Sequence, residues 1–120
     1  MSHARKALGK WGEDQAVMYL QRKGLEIIAR NWRTAQGEID LVARDGRTLV
    51  FVEVRTRSGQ AFGLPAESVD WRKRRKLREM ALCYLQKEGV RSSSIRFDVI
   101  GVLCQKGKNS AEIIHVEQAF

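Results

Sequence analysis

Asp45-Gly46 separates two runs of strand-forming residues, Glu38 to Arg44 and Thr48 to Thr56. That dipeptide between alternating apolar and polar residues is a strong short-range signal for a β-hairpin. It commits the middle of the chain to antiparallel sheet, and the remaining segments must pack around it. Ala4 to Lys23 has a helical pattern that Gly24 would stop, and Leu25 to Trp32 reads as a strand. Thr56 to Pro65 is a loop, containing Ser58, Gly59, Gly63 and the only proline. Asp70 can cap a helix from Trp71 to about Glu88, with Gly89 as its stop. Ile95 to Cys104 and Ala111 to Val116 are further strands around a polar turn, Gln105 to Ser110. The order α-β-β-β-α-β-β predicts an α/β fold with helices packed on a mixed sheet. At 120 residues, one domain spanning 1–120 is expected.

Lys and Arg total 22 against 14 Asp and Glu, a formal net charge of +8. A small domain so basic most often meets a polyanion, nucleic acid being the commonest; charge alone leaves an anionic membrane surface or simple solubility open. The 43% apolar content excludes wholesale disorder. No apolar run approaches the roughly 18 residues of a membrane span, and the charged amino terminus lacks the hydrophobic stretch of a secretory signal. Cys83 and Cys104 lack paired ligand spacing and read as buried free thiols, while His3 and His115 are remote in sequence. A cytoplasmic protein without a zinc site is expected.

The hairpin holds the chemistry. With Asp45-Gly46 as the central turn residues, Asp40 lies opposite Phe51 and Glu38 opposite Glu53, so Glu38, Asp40, Glu53 and Arg55 share a face. Val50, Val52 and Val54 on the other face read as core. Two carboxylates about 5 Å apart repel by roughly 3 kcal/mol at an effective dielectric of 20. Either a divalent cation sits between them, Mg²⁺ being suited to few carboxylates and several waters, or Arg44 and Arg55 neutralise a solvated face. Glu13 favours the first reading. It shares a helical stripe with Gly9, Gly12, Ala16, Val17 and Leu20, where a carboxylate is costly unless paired or bound to metal; its alternative roles are an arginine partner or a rim position.

Arg72-Lys73-Arg74-Arg75-Lys76-Leu77-Arg78 places six cations in seven positions of the second helix. Leu77, Met80, Ala81 and Tyr84 form its inward stripe. Arg72, Arg75 and Arg78 point away from it and default to a solvated face, whereas Lys73 lies on the inward side in the first turn. There a lysine and free backbone N–H groups could take a phosphate. Arg72, Lys73, Arg74 and Arg75 are accordingly the candidate nucleic-acid contacts.

Asp40, followed thirteen residues later by Glu53-Val54-Arg55, resembles the PD-(D/E)xK motif of restriction-endonuclease-like nucleases. Gly12-Glu13, Asn31-Trp32-Arg33, Gly37 to Val42, Phe51 to Arg57 and Arg96-Phe97-Asp98-Val99 further resemble the YraN family, bacterial proteins related to archaeal Holliday-junction resolvases. The resemblance runs from about Gly9 to Val102. It implies a restriction-endonuclease-like core and Mg²⁺- or Mn²⁺-dependent hydrolysis of phosphodiesters in structured or branched DNA. Asp40, Glu53 and the Val54 carbonyl match the metal ligands, Glu13 the helical glutamate that completes the site, and Arg55 the motif lysine. Glu38 belongs to the pattern without an assigned role. Arginine stays protonated and cannot act as a base, although it can orient a nucleophile and stabilise developing charge. The alternative is a nucleic-acid-binding module on the same fold that cleaves weakly or not at all. Resolvase relatives cut two strands symmetrically, which suggests a homodimer.

Overall fold

A computed structural model describes residues 3–58, 69–91, 94–104 and 111–120. The elements are α1 (His3–Arg22), β1 (Glu26–Thr34), β2 (Gly37–Asp45), β3 (Thr48–Ser58), α2 (Trp71–Lys87), β4 (Ser94–Cys104) and β5 (Ala111–Val116). The α-β-β-β-α-β-β order is as expected from the sequence. Strand β3 continues to Ser58, past the loop start expected at Thr56. The rest of that loop, and the polar turn at 105–110, lie outside the described residues.

The five strands are ordered β1-β2-β3-β4-β5. All neighbours are antiparallel except β3 and β4, which run parallel from Thr48–Ser94 to Ser58–Cys104. A parallel pair needs a crossover connection, and α2 lies within it. Helix α2 covers one face, where Leu77, Met80, Ala81 and Tyr84 pack with Val42, Leu49, Phe51, Phe97 and Val99. Helix α1 covers the other, where Ala16 and Leu20 meet Leu41, Ala43, Val50, Val52, Ile100 and Val102. Central strand β3 is covered on both sides, which explains why Leu49-Val50-Phe51-Val52 is uninterruptedly apolar. Asp70 caps α2 by accepting from the Lys73 N–H at 3.0 Å. Gly24 and Gly89, at φ 95° and 63°, follow the two helices as the sequence suggested. Cys83 and Cys104 are free thiols, half-buried rather than fully buried.

The hairpin register differs from the expected one. Asp45 pairs with Thr48, Arg44 with Leu49 and Leu41 with Val52, so the turn centres on Gly46-Arg47. The positive φ of this turn, 60°, falls on Gly46, whereas Asp45 remains in the strand. Glycine at the first central position is the requirement of a type II′ turn. The shift moves each cross-strand partner by two residues. Continuing the pairing one step past Leu41–Val52 sets Asp40, rather than Glu38, beside Glu53.

Candidate functional site

Beyond Leu41–Val52 the β2–β3 ladder ends, while β2 stays paired with β1 and β3 with β4. The two central strands thus part at one end of the sheet. Asp40 bridges the start of the gap, its Oδ2 accepting the Val54 N–H at 2.9 Å. Glu53 is 5% exposed, and with Asp98 it is one of two buried charged residues among those described.

The same end of the sheet contains a change of face. Leu41 packs with the α1 layer, whereas Ile39, two residues away, packs with the α2 layer. On β1, Arg30 reaches α1 through a 2.6 Å ion pair with Asp14, whereas Trp32 packs edge-on against Tyr84 of α2. Between them Asn31 has φ 50°, a left-handed conformation that asparagine tolerates better than most residues. Simple alternation fails here, and the expectation that Glu38 shares a face with Glu53 fails with it. Glu38 instead accepts from Arg33 Nε at 2.8 Å and lines a hollow with Glu13, Arg30 and Asn31.

Glu13 approaches from α1. Burial pushes its carboxyl above the ordinary carboxylate range, aided by the charge of Asp40, while a 2.9 Å hydrogen bond from Asn31 Nδ2 opposes the rise. Close approach of α1 depends on Gly12, because a methyl there would overlap the Thr56 side chain. Arg30 lies 3.9 Å from Glu13, so the arginine partner considered for it is present at long range. A cavity of about 630 Å³ opens between Glu13 and the end of β3, lined also by Arg55 and Arg57. The hollow of about 670 Å³ on the other side of Glu13 carries Lys6, Lys10 and Arg33 on its wall.

Burial, then the negative charge of Glu53, push the Asp40 carboxyl up to about 7. Two cations approach Glu53 Oε2: Arg55 Nε at 3.3 Å and Lys73 Nζ at 3.7 Å. Lys73 therefore reaches into the acidic site, a placement that its inward position on α2 foreshadowed. Its own N–H is committed to Asp70 and that of Arg74 to the Asp70 carbonyl. The cap thus takes one of the N–H groups at the start of α2 that the sequence offered to a phosphate. The other cations of α2 divide. Arg74 donates to the Val69 carbonyl at 2.9 Å and lies over the Phe120 ring, so it fastens the start of the helix. Arg75 is exposed beside Glu79, and Arg72 is exposed over Trp71.

These donors can be tested against the implied metal. Among the described residues no three His, Cys, Asp or Glu side chains form a ready cage. Asp40 and Glu53 make a pair of hard oxygen donors beside the Val54 backbone. Mg²⁺ and Mn²⁺ suit such sites, because one or two carboxylates suffice and water fills the remainder. The rise at Asp40 comes from burial and from the neighbouring Glu53 charge, and a cation held between the two side chains would oppose both causes. The residues fit a hard divalent cation.

A family model described as "Uncharacterised protein family UPF0102" matches residues 12–102. The chain belongs to the UPF0102 family. That is the family resembled under the YraN name, within the restriction-endonuclease-like superfamily. A UPF0102 protein of Pelotomaculum thermopropionicum is 47% identical over 120 residues, covering the whole of both chains. One of Desulforamulus reducens is 49% identical over 122 residues, again covering both completely. One of Nocardia farcinica is 46% identical over 116 residues, 97% of this chain and 91% of the relative.

Two further features of this UPF0102 chain escaped the sequence. Asn31 was visible as part of the resemblance, but nothing in its residue type announced that it turns the strand over and holds Glu13. Asp98, also within a resembling motif, is fully buried and receives Arg96 Nε at 2.9 Å, Arg96 Nη2 at 3.0 Å and the Gln118 N–H at 3.0 Å. His115, remote in sequence, lies 2.7 Å from the same carboxylate. Tyr19 closes the group from α1, 3.2 Å from His115 Nδ1. This network joins β4, β5 and α1, with Asp98 the register partner of Val52, the residue before Glu53.

Proposed function

We propose that this protein is a Mg²⁺- or Mn²⁺-dependent endonuclease acting on structured or branched DNA. The observation that carries the reading is the Asp40–Glu53 pair at the parting of β2 and β3. Burial and mutual repulsion hold a proton on it near neutrality, and Arg55 and Lys73 flank it. Asp40, Glu53 and the Val54 carbonyl would hold the ion. When bound there, the ion supplies an acidified water and positive charge at the scissile phosphate. Arg55, whose guanidinium is a donor and not a base, orients the attacking oxygen and stabilises charge growing on the phosphoryl group. Lys73 attracts the phosphate to the same edge. Glu13, raised by burial and steered by Asn31, faces the pair from α1 and takes part in proton handling. A homodimer would give such a site the symmetry needed to cut two strands.

A second reading, a nucleic-acid-binding module that cleaves weakly or not at all, draws on one observation. Arg55 replaces the motif lysine and, together with Lys73, already places two cations on Glu53. The two readings separate in a cleavage panel of labelled duplex, junction, flap and single-stranded DNA with Mg²⁺ or Mn²⁺. The nuclease reading expects metal-dependent products from a branched substrate, abolished by Asp40→Asn and by Glu53→Gln. Binding without products would favour the second reading, and cleavage surviving in the double variant would exclude this site.

A further inference from the structure

The most exposed of the large apolar side chains among the described residues is Trp71, at 65%. It is the first residue of α2 and adds nothing to that helix's buried stripe of Leu77, Met80, Ala81 and Tyr84. An indole left in water at a helix start has no packing explanation. Its surroundings are cationic: the Arg72 guanidinium carbon lies 5.5 Å from the ring centroid, and no acidic residue occurs between Trp71 and Arg78. Two positions along, Lys73 reaches Glu53. Two residues advance a helix by only about 3 Å but turn it by about 200°, so the ring and the lysine leave the same end of α2 on different sides, the ring outward and the lysine toward the sheet.

We infer that Trp71 is a stacking platform for an unpaired nucleobase. The inference rests on the nucleic-acid reading above and narrows its substrate class to strands that present a single-stranded or flipped-out base at the start of α2, the end of the helix that also carries Lys73. Aromatic faces flanked by cations suit this ligand, since the base takes the ring and the backbone takes the charges. Duplex bases, stacked on one another, cannot use the ring without opening. A protein partner fits less well, because the cores of protein interfaces are contiguous apolar patches and Trp71 stands apart from the other exposed apolar side chain of its helix. The other strongly exposed apolar residue of α2, Leu82, lies eleven residues, or about 16 Å, along the helix.

The test is a fluorescence titration of the full chain in chelating buffer, where metal-dependent cleavage cannot intervene. The probes are a short oligothymidine and a blunt duplex of mixed sequence. Oligothymidine should quench the wild-type indole signal, and Trp71→Phe should lose that quenching while keeping affinity within about threefold, because Trp11 and Trp32 are partly buried. Trp71→Ala should bind oligothymidine about 5- to 150-fold more weakly, the range expected for losing one stacked base. Its affinity for the duplex should stay within about twofold of wild type, which also reports an intact fold. Equal losses on both probes, unchanged oligothymidine affinity in Trp71→Ala, or binding without quenching would each overturn the platform. Failure of the wild type to bind either probe would overturn the nucleic-acid reading along with it, whereas the preceding results leave that reading standing.

Discussion

Asp40 is held by opposing demands: the Val54 N–H favours its charged form, while burial and Glu53 disfavour it more strongly. Because its folded pKa of about 7 stands above the ordinary 3.8, the fold retains a proton that the unfolded chain releases. The contribution of Asp40 to the stability of the metal-free protein should therefore be greatest below about pH 4, fall as pH rises toward 7, and level off above it. Asp40→Asn should flatten that dependence and raise the melting temperature of the metal-free protein at pH 8. Thermal melts across pH with and without Mg²⁺ check both points, and a wild-type profile insensitive to Mg²⁺ would argue against ion binding at the pair. Arg55 poses a separate question, because its Nε lies 3.3 Å from Glu53. If it only replaces a lysine, Arg55→Lys should cleave at least as fast with the same metals. A folded variant that loses a robust wild-type activity would show that the planar guanidinium has its own role.

At the level of elements, α2 both covers the sheet and delivers Lys73, and its cations are not equivalent. Neutralising Lys73 and Arg75 should weaken binding to all DNA sequences and flatten the plot of log affinity against log salt by about 0.9 per lost phosphate contact, or about 1.8 for both. Arg74→Gln should act mainly on stability, since it loses the bond to the Val69 carbonyl and the contact with Phe120. A salt titration in chelating buffer, paired with thermal melts, distinguishes these effects; an unchanged slope for Lys73 and Arg75 would remove them from the contact surface. Much of this helix was legible in the sequence, because Leu77, Met80, Ala81 and Tyr84 recur at helical spacing and Asp70 and Gly89 mark its ends. The hairpin was legible as an element but not in register. Asp45-Gly46 and Gly46-Arg47 both offer a glycine to a two-residue turn, and only the backbone shows which one closes it. The placement of Glu38 was hidden more deeply. Period-two reasoning assumes an unbroken strand, and the left-handed Asn31 that breaks it belongs to the other partner of β2.

At the scale of the whole fold, the two buried charged residues among those described mark different tasks. Glu53 lies where strands diverge, its cations at 3.3 and 3.7 Å, whereas Asp98 is enclosed by short bonds from three residues. Burial pushes the Asp98 carboxyl up, but bonds from His115, Arg96 and the Gln118 N–H outweigh it and hold it below the ordinary range. Its stabilising contribution should be present above about pH 4 and lost on acidification, opposite in sign to that of Asp40. Asp98→Asn should cost about 3–5 kcal/mol, as expected when one partner of a buried ionic group is removed. Denaturant melts at neutral pH measure this, and a loss below about 1 kcal/mol would mean that the network tolerates a neutral centre.

The parallel β3–β4 pair has a consequence in time. Asp40 and Glu53 meet through a short hairpin, but β3 and β4 meet only after the chain has travelled through α2, a closure with a larger entropic cost. Local contacts form readily, while distant pairings slow folding. The repelling carboxylates should thus come together in the folding nucleus, before β4 seals their flank. Val50→Ala should then chiefly slow refolding, and Ile100→Val should chiefly accelerate unfolding. Stopped-flow chevrons showing the reverse partition would place the parallel pair first.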